Sequence, residues 1–215
     1  MTRSTPSRKL LALPVSAALL VSACESSEGD DKPEKPKRNV LLSPLSRACD
    51  GIFDQATVTE FRQKHGITKV DVIRDDTPFF QTGGDALDLS MNPEDAYTQP
   101  CVFNDAEGVR RLLEMEFTWG PDTFPEKELK AGKSVTWSTA RDAQRSSVEL
   151  LVDCRRPDLA RQSKVKKPLA LTGTLTDHLG LTDATRKRIL TAGTEEILLN
   201  MHCDNKVSVH DAAKR

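Results

Sequence analysis

Apolar and polar side chains alternate most regularly over residues 110–120, where Leu113, Met115, Phe117 and Trp119 are separated by Glu114, Glu116 and Thr118. A period of two places the apolar set on one face of a half-buried strand. The same pattern, less regular, predicts strands over 67–74 (Val70 and Val72 against Lys69 and Asp71), 101–103, 134–140 and 169–175. The more continuously apolar 148–154 suits a central strand. Two segments carry a helical period instead. Asp54 or Thr57 caps a helix running to about residue 64, with Val58, Phe61 and His65 on one side, Thr57 and Glu60 at capping-box spacing, and Gly66 as its stop. Thr182 or Asp183 opens a second helix to about residue 202, with Leu190, Gly193, Ile197 and Met201 in one stripe. Gly193 weakens that helix by about 1 kcal/mol relative to alanine. Residues 75–100, mostly polar and broken by Pro78, Gly83-Gly84 and Pro93, read as loop. The predicted class is α+β: a mostly antiparallel sheet with flanking helices.

The first 23 residues follow a different logic. Arg3, Arg8 and Lys9 precede twelve almost wholly apolar residues, 10–21, with no acidic residue before Glu25. Twelve helical residues rise about 18 Å, short of a hydrocarbon core of roughly 30 Å, so the run is a secretory segment and not a span. Val21-Ser22-Ala23-Cys24 then resembles the lipobox of bacterial lipoproteins. That resemblance implies cleavage before Cys24, a diacylglycerol on its sulfur and an acylated amino terminus. Two or three chains together bind a membrane firmly where one binds marginally. An ordinary signal peptide cleaved after Ala23 is the alternative. Residues 25–38 contain two prolines, many charges and no aliphatic or aromatic side chain. Such a segment cannot offset its ordering entropy by burial, and a charged tether is predicted over 24–39. The body would then span 40–215, as one domain with two possible related halves, 40–125 and 126–215.

Export gives the remaining cysteines their meaning. Cys49, Cys101, Cys154 and Cys203 form an even set with no C-x-x-C pair, so two disulfides are expected in an oxidising compartment. Three connectivities are open; Cys49–Cys101 with Cys154–Cys203 is favoured because it closes each half on itself. Removing the leader takes away three basic residues and leaves 28 basic against 32 acidic ones, a net charge of −4. That balance argues against a dedicated nucleic-acid binder, which would show a strong basic excess. Mean hydropathy of −0.47 with one apolar run excludes a multi-spanning membrane protein.

Motifs for chemistry are sparse. Gly132-Lys133-Ser134 resembles the end of a phosphate-binding loop, but Lys127 stands where that loop requires glycine. Ser163-Lys164-Val165-Lys166 has the letters of S-x-x-K without its companion motifs. The histidines at 65, 178, 202 and 210 are too scattered to predict a metal site, and Asp85, Asp88, Asn92, Glu94 and Asp95 match no calcium-loop spacing. No cofactor and no metal is predicted. Two features could bind something. Arg155, Arg156, Arg161, Lys164, Lys166 and Lys167 make a basic run suited to anionic lipid headgroups or wall polymers. Trp119, Trp137 and Phe117 could line a sugar or apolar groove, although sheet packing explains them as well.

The segments at residues 49–53 (CDGIF) and 101–103 (CVF), with the stretch from Leu169 to Cys203, resemble small secreted lipoproteins of high-GC Gram-positive bacteria. That resemblance implies no activity. The reading is therefore a lipoprotein held at the outer face of the cell membrane by Cys24, non-enzymatic, binding an envelope protein or wall polymer. An extracytoplasmic hydrolase whose site is not visible as a motif is the alternative. A transporter's solute receptor is disfavoured, because the mature body is small for two lobes.

Overall fold

Among the described residues every strand pairing is antiparallel. In a computed structural model of the chain, residues 42–73, 78–88, 96–119, 124–138, 146–156 and 170–209 are described, all within one compact unit, Asn39–Arg215. The strands are β1 (Leu42–Pro44), β2 (Lys69–Val72), β3 (Tyr97–Asn104), β4 (Arg111–Trp119), β5 (Val135–Ser138), β6 (Ser146–Val152) and β7 (Leu171–Asp177). They form one seven-stranded sheet in the order β1-β2-β3-β4-β7-β6-β5. The helices are α1 (Gln55–His65), α2 (Phe79–Asp88), α3 (Glu126–Lys130) and α4 (Asp183–Leu199), and a kinked 3-10 segment covers Leu45–Gly51.

Register puts the apolar positions of neighbouring strands in rows. Cys101, Met115, Leu175 and Val148 form one, and Phe117, Gly173 and Leu150 the next. This face, with Phe61 of α1, Phe80 of α2 and Leu190 and Ile197 of α4, makes the main core. The Trp119 indole is buried in it and donates from Nε1 to the Leu87 carbonyl at 3.2 Å, so Trp119 and Phe117 serve sheet packing. Trp137 is half-buried, with the Lys187 ammonium 5.2 Å over its ring. On the other face, Phe124, Leu151 and Ala170 make a small second cluster with Leu129 of α3 against it.

Both disulfides have the favoured connectivity. Cys49–Cys101 ties the 3-10 segment to β3, and Cys154–Cys203 ties the end of β6 to the tail beyond α4. Of the alternative caps the sequence offers, the structure uses the first of each pair: Asp54, and not Thr57, caps α1 and accepts from the Thr57 amide at 2.7 Å, and Thr182, and not Asp183, caps α4 and accepts from the Thr185 amide at 3.2 Å.

The structure corrects the region read as loop. Residues 79–88 are helical, and β3 starts at Tyr97, with a register shift between Thr98 and Cys101 that accommodates Pro100. Two causes lie far away in sequence. Asp50 accepts the Phe80 amide at 3.0 Å, capping α2 from thirty residues upstream. The glycine pair that suggested a breaker is instead a contact surface. A Cβ on Gly84 would lie 2.6 Å from the Asn200 Cβ and 3.0 Å from the Ile197 carbonyl oxygen. Gly193 is equally constrained, since a Cβ there would collide with Met115 Sδ and come within 3.1 Å of the Phe80 ring.

Gly84→Ala is accordingly expected to destabilise the fold by about 1–3 kcal/mol through overpacking, although alanine favours a helix by about 1 kcal/mol. Urea titration monitored by circular dichroism measures it. An unchanged midpoint would mean that α2 can draw back from α4 at no cost.

Candidate functional site

The two predicted caps bring the first turns of α1 and α4 side by side and build a polar junction. Thr185 Oγ1 donates to Glu60 Oε2 at 2.5 Å. Arg188 Nε donates to Thr57 Oγ1 at 3.3 Å and lies 3.4 Å from Asp54 Oδ2, while its Nη2 stands 4.0 Å from Glu60. Lys64 pairs with Glu60 from the outer side at 2.9 Å. Beside this junction lies a cleft of about 190 Å³. Ile52, Ile189 and Ala192 give it an apolar floor; Asp54, Arg188 and Glu195 give it a charged rim. Thr57 and Thr191 complete the lining, and Thr191 Oγ1 is buried without a hydrogen-bond partner.

Burial pushes the Asp54 carboxyl up, but the Thr57 hydrogen bonds and the Arg188 guanidinium outweigh it and hold the group below its ordinary range. The Thr185 hydroxyl, then the Lys64 ammonium, hold Glu60 below its ordinary 4.5. Both carboxylates are thus stabilised in their charged form, by contacts that exist only when folded. A depressed folded pKa contributes stability that is complete above the ordinary value and lost as pH falls through the folded one. The urea midpoint is expected to be flat near neutrality and to drop below about pH 4.5. Glu60→Gln should flatten part of that drop; an unchanged acid slope would show that the junction does not contribute.

Chemically, the cleft presents an apolar floor, a guanidinium and carboxylates that already serve as caps and ion-pair partners. It suits holding a small ligand by shape and ion pairing. Sequence alone did not suggest it, because Glu60 and Thr185 are 125 residues apart and Thr57 and Arg188 are 131 apart. Only the two caps could have hinted which helix ends would meet.

The residues singled out from sequence are distributed elsewhere. Cys24 lies outside the described residues, as do Arg161, Lys164, Lys166, Lys167 and the S-x-x-K letters at 163–166. Arg155 is exposed and pairs with a neighbour: its Nη2 is 3.0 Å from Asp153 Oδ2, and its amide donates to Asn205 Oδ1 at 2.7 Å. Arg156 also has a partner. Lys133 pairs with Glu128, and Ser134 Oγ accepts from the Ser208 amide, so the phosphate-loop letters close a helix end and pin the tail. His178 Nε2 stands 3.5 Å from Glu114 Oε1, His65 packs on Phe61, and His210 lies outside the described residues. Asp85 is exposed on α2 and Asp88 ends that helix, whereas Asn92, Glu94 and Asp95 are outside the described residues. Among the described residues, no three His, Cys, Asp or Glu side chains are grouped to hold a metal.

No protein-family model, curated protein or solved structure matches the chain.

Proposed function

We propose that the chain is an extracytoplasmic lipoprotein, anchored to the cell membrane through Cys24, whose α+β body binds an envelope protein or wall polymer without catalysis. One observation carries this reading. Four of the five cysteines are paired in disulfides, and the fifth is the cysteine that closes the lipobox-like Val21-Ser22-Ala23-Cys24. Two disulfides favour an oxidising compartment, and the apolar leader supplies the route to it. The lipid would confine the domain to a surface, raising its effective concentration against anything displayed there. The α1–α4 cleft, with its apolar and charged lining, offers such a partner's small group a place to sit.

Intact-mass analysis of the protein from membranes tests the anchor. The expected species begins at Cys24 and carries a diacylglycerol; a cytosolic chain retaining Met1 and lacking lipid mass would overturn the proposal. Crosslinking in intact cells followed by partner identification tests the binding role. Turnover of ester or glycan substrates without any crosslinked partner would favour the hydrolase instead.

A further inference from the structure

Arg188 and Asp54 face the α1–α4 cleft as an ion pair with one side of each partner left open. Arg188 uses Nε toward Thr57 and Asp54 and Nη2 toward Thr185 and Glu60. Its Nη1 makes no hydrogen bond among the described residues, and its side chain is 41% exposed. A guanidinium fixed from behind in this way is preset to take a planar acceptor with two oxygens. Asp54 Oδ1 accepts the Thr57 amide, whereas Oδ2, 3.4 Å from Arg188 Nε, belongs to a side chain 48% exposed. An ionised carboxylate has about four acceptor sites, so Oδ2 can receive a further donor. The charges at the cleft and its junction are Asp54, Glu60 and Glu195 against Lys64 and Arg188. Three against two leaves one negative charge in excess, so a plain anion is disfavoured, and a plain cation would meet the open guanidinium.

A molecule carrying both charges a few ångströms apart meets both demands. An α-amino acid holds its ammonium and carboxylate about 3 Å apart on one carbon, the spacing of the Asp54–Arg188 pair. The cleft volume of about 190 Å³ corresponds to roughly six water molecules at about 30 Å³ each, the bulk of one amino acid and less than a peptide needs. Ile52, Ile189 and Ala192 make the floor apolar. Thr191 lines the cleft one turn beyond Arg188 on the same side of α4, is 6% exposed, and its Oγ1 has no hydrogen-bond partner. Buried hydroxyls nearly always have one, and the charged end of an amino acid supplies it. Glu195, a further turn along that side of α4, sets a carboxylate where a longer side chain would end and so repels acidic ones.

We infer that the α1–α4 cleft binds a free α-amino acid with an apolar side chain, its carboxylate on the Nη side of Arg188, its ammonium on Asp54 Oδ2 and its side chain on Ile52, Ile189 and Ala192. Thr191 completes the hydrogen bonds of the charged end, and Glu195 excludes aspartate and glutamate. The inference rests on the reading of the body as a binding module without catalysis.

The test titrates the isotope-labelled mature protein in detergent micelles with leucine, N-acetyl-leucine, leucinamide and glutamate, and follows the backbone amide shifts. Leucine is expected to saturate at about 1 mM or below, with the largest shifts among the cleft residues 52–57 and 188–195. The two blocked analogues and glutamate should each bind at least about tenfold more weakly, since each loses one charged contact or meets a like charge. A blocked analogue that binds as tightly as leucine overturns the paired-charge recognition, and glutamate binding equally well overturns the exclusion by Glu195. Thr191→Val keeps the shape and removes the unpartnered hydroxyl, so the urea midpoint should not fall while leucine affinity drops at least about fivefold. Unchanged affinity in that variant overturns the placement in this cleft. Absence of any shift in a protein that crosslinks a partner in cells rejects the amino-acid ligand alone. Turnover of ester or glycan substrates with no crosslinked partner rejects the binding-module reading beneath it.

Discussion

Replacing Cys49 and Cys101 together by serine should cost about 4 kcal/mol, and replacing Cys154 and Cys203 about as much again. Each bridge closes a loop of 52 or 49 residues, and in the chain-entropy model a loop of that length restricts the unfolded ensemble by about that amount. Domains of this size are stable by only about 5–15 kcal/mol, so removing both bridges is expected to leave a mostly unfolded chain at 37 °C. The two losses should also differ in place. Cys49 and Cys101 are fully buried beside Phe103 and Phe53 in the main core, so serine there buries hydroxyls among apolar groups. Cys203 is only partly buried, and its bridge mainly holds the tail. Circular dichroism melts of the two double variants and the quadruple one measure this. A quadruple variant that melts within a few degrees of the parent would show that the core needs no crosslinks.

Arg186→Met is expected to destabilise the fold by about 3–5 kcal/mol, the usual consequence of removing one partner from a buried ion pair. Asp177 ends β7 with its side chain wholly buried, and Arg186 is 16% exposed. Asp177 Oδ2 receives Arg186 Nη1 at 3.0 Å, while Oδ1 accepts the Leu179 and Leu181 amides at 3.0 Å each. Arg186 Nη1 also donates to the Leu181 carbonyl at 2.8 Å. One carboxylate thus shapes the turn from sheet to helix, around Gly180 at φ +73°, and the guanidinium compensates its buried charge. For a body of this size the loss corresponds to a Tm lower by roughly 6–20 °C. Asp177→Asn with Arg186→Met should recover part of it, because no charge is then left buried. A single variant as stable as the parent would show that water reaches Asp177 when the arginine is gone.

Local chemistry made much of this protein legible along the chain. The alternation of Leu113, Met115, Phe117 and Trp119 is β4, the Asp54 and Thr182 caps begin α1 and α4, Gly66 ends α1 in the left-handed region, and the disulfides have the connectivity that closes each half. All of these depend on interactions within a few residues, or on loop closure. What escaped was decided at long range. α2 exists because Asp50 caps it and because α4 lies close enough to require glycine at 84. Asp71, expected to face outward, is buried beside Asn104, 33 residues away, whose side-chain amide donates to it at 3.5 Å. The α1–α4 cleft joins residues more than a hundred positions apart. Periodicity and capping report a residue's relation to its neighbours in the chain, whereas helix contacts, clefts and the ends of a sheet are set by packing between elements, which no local pattern encodes.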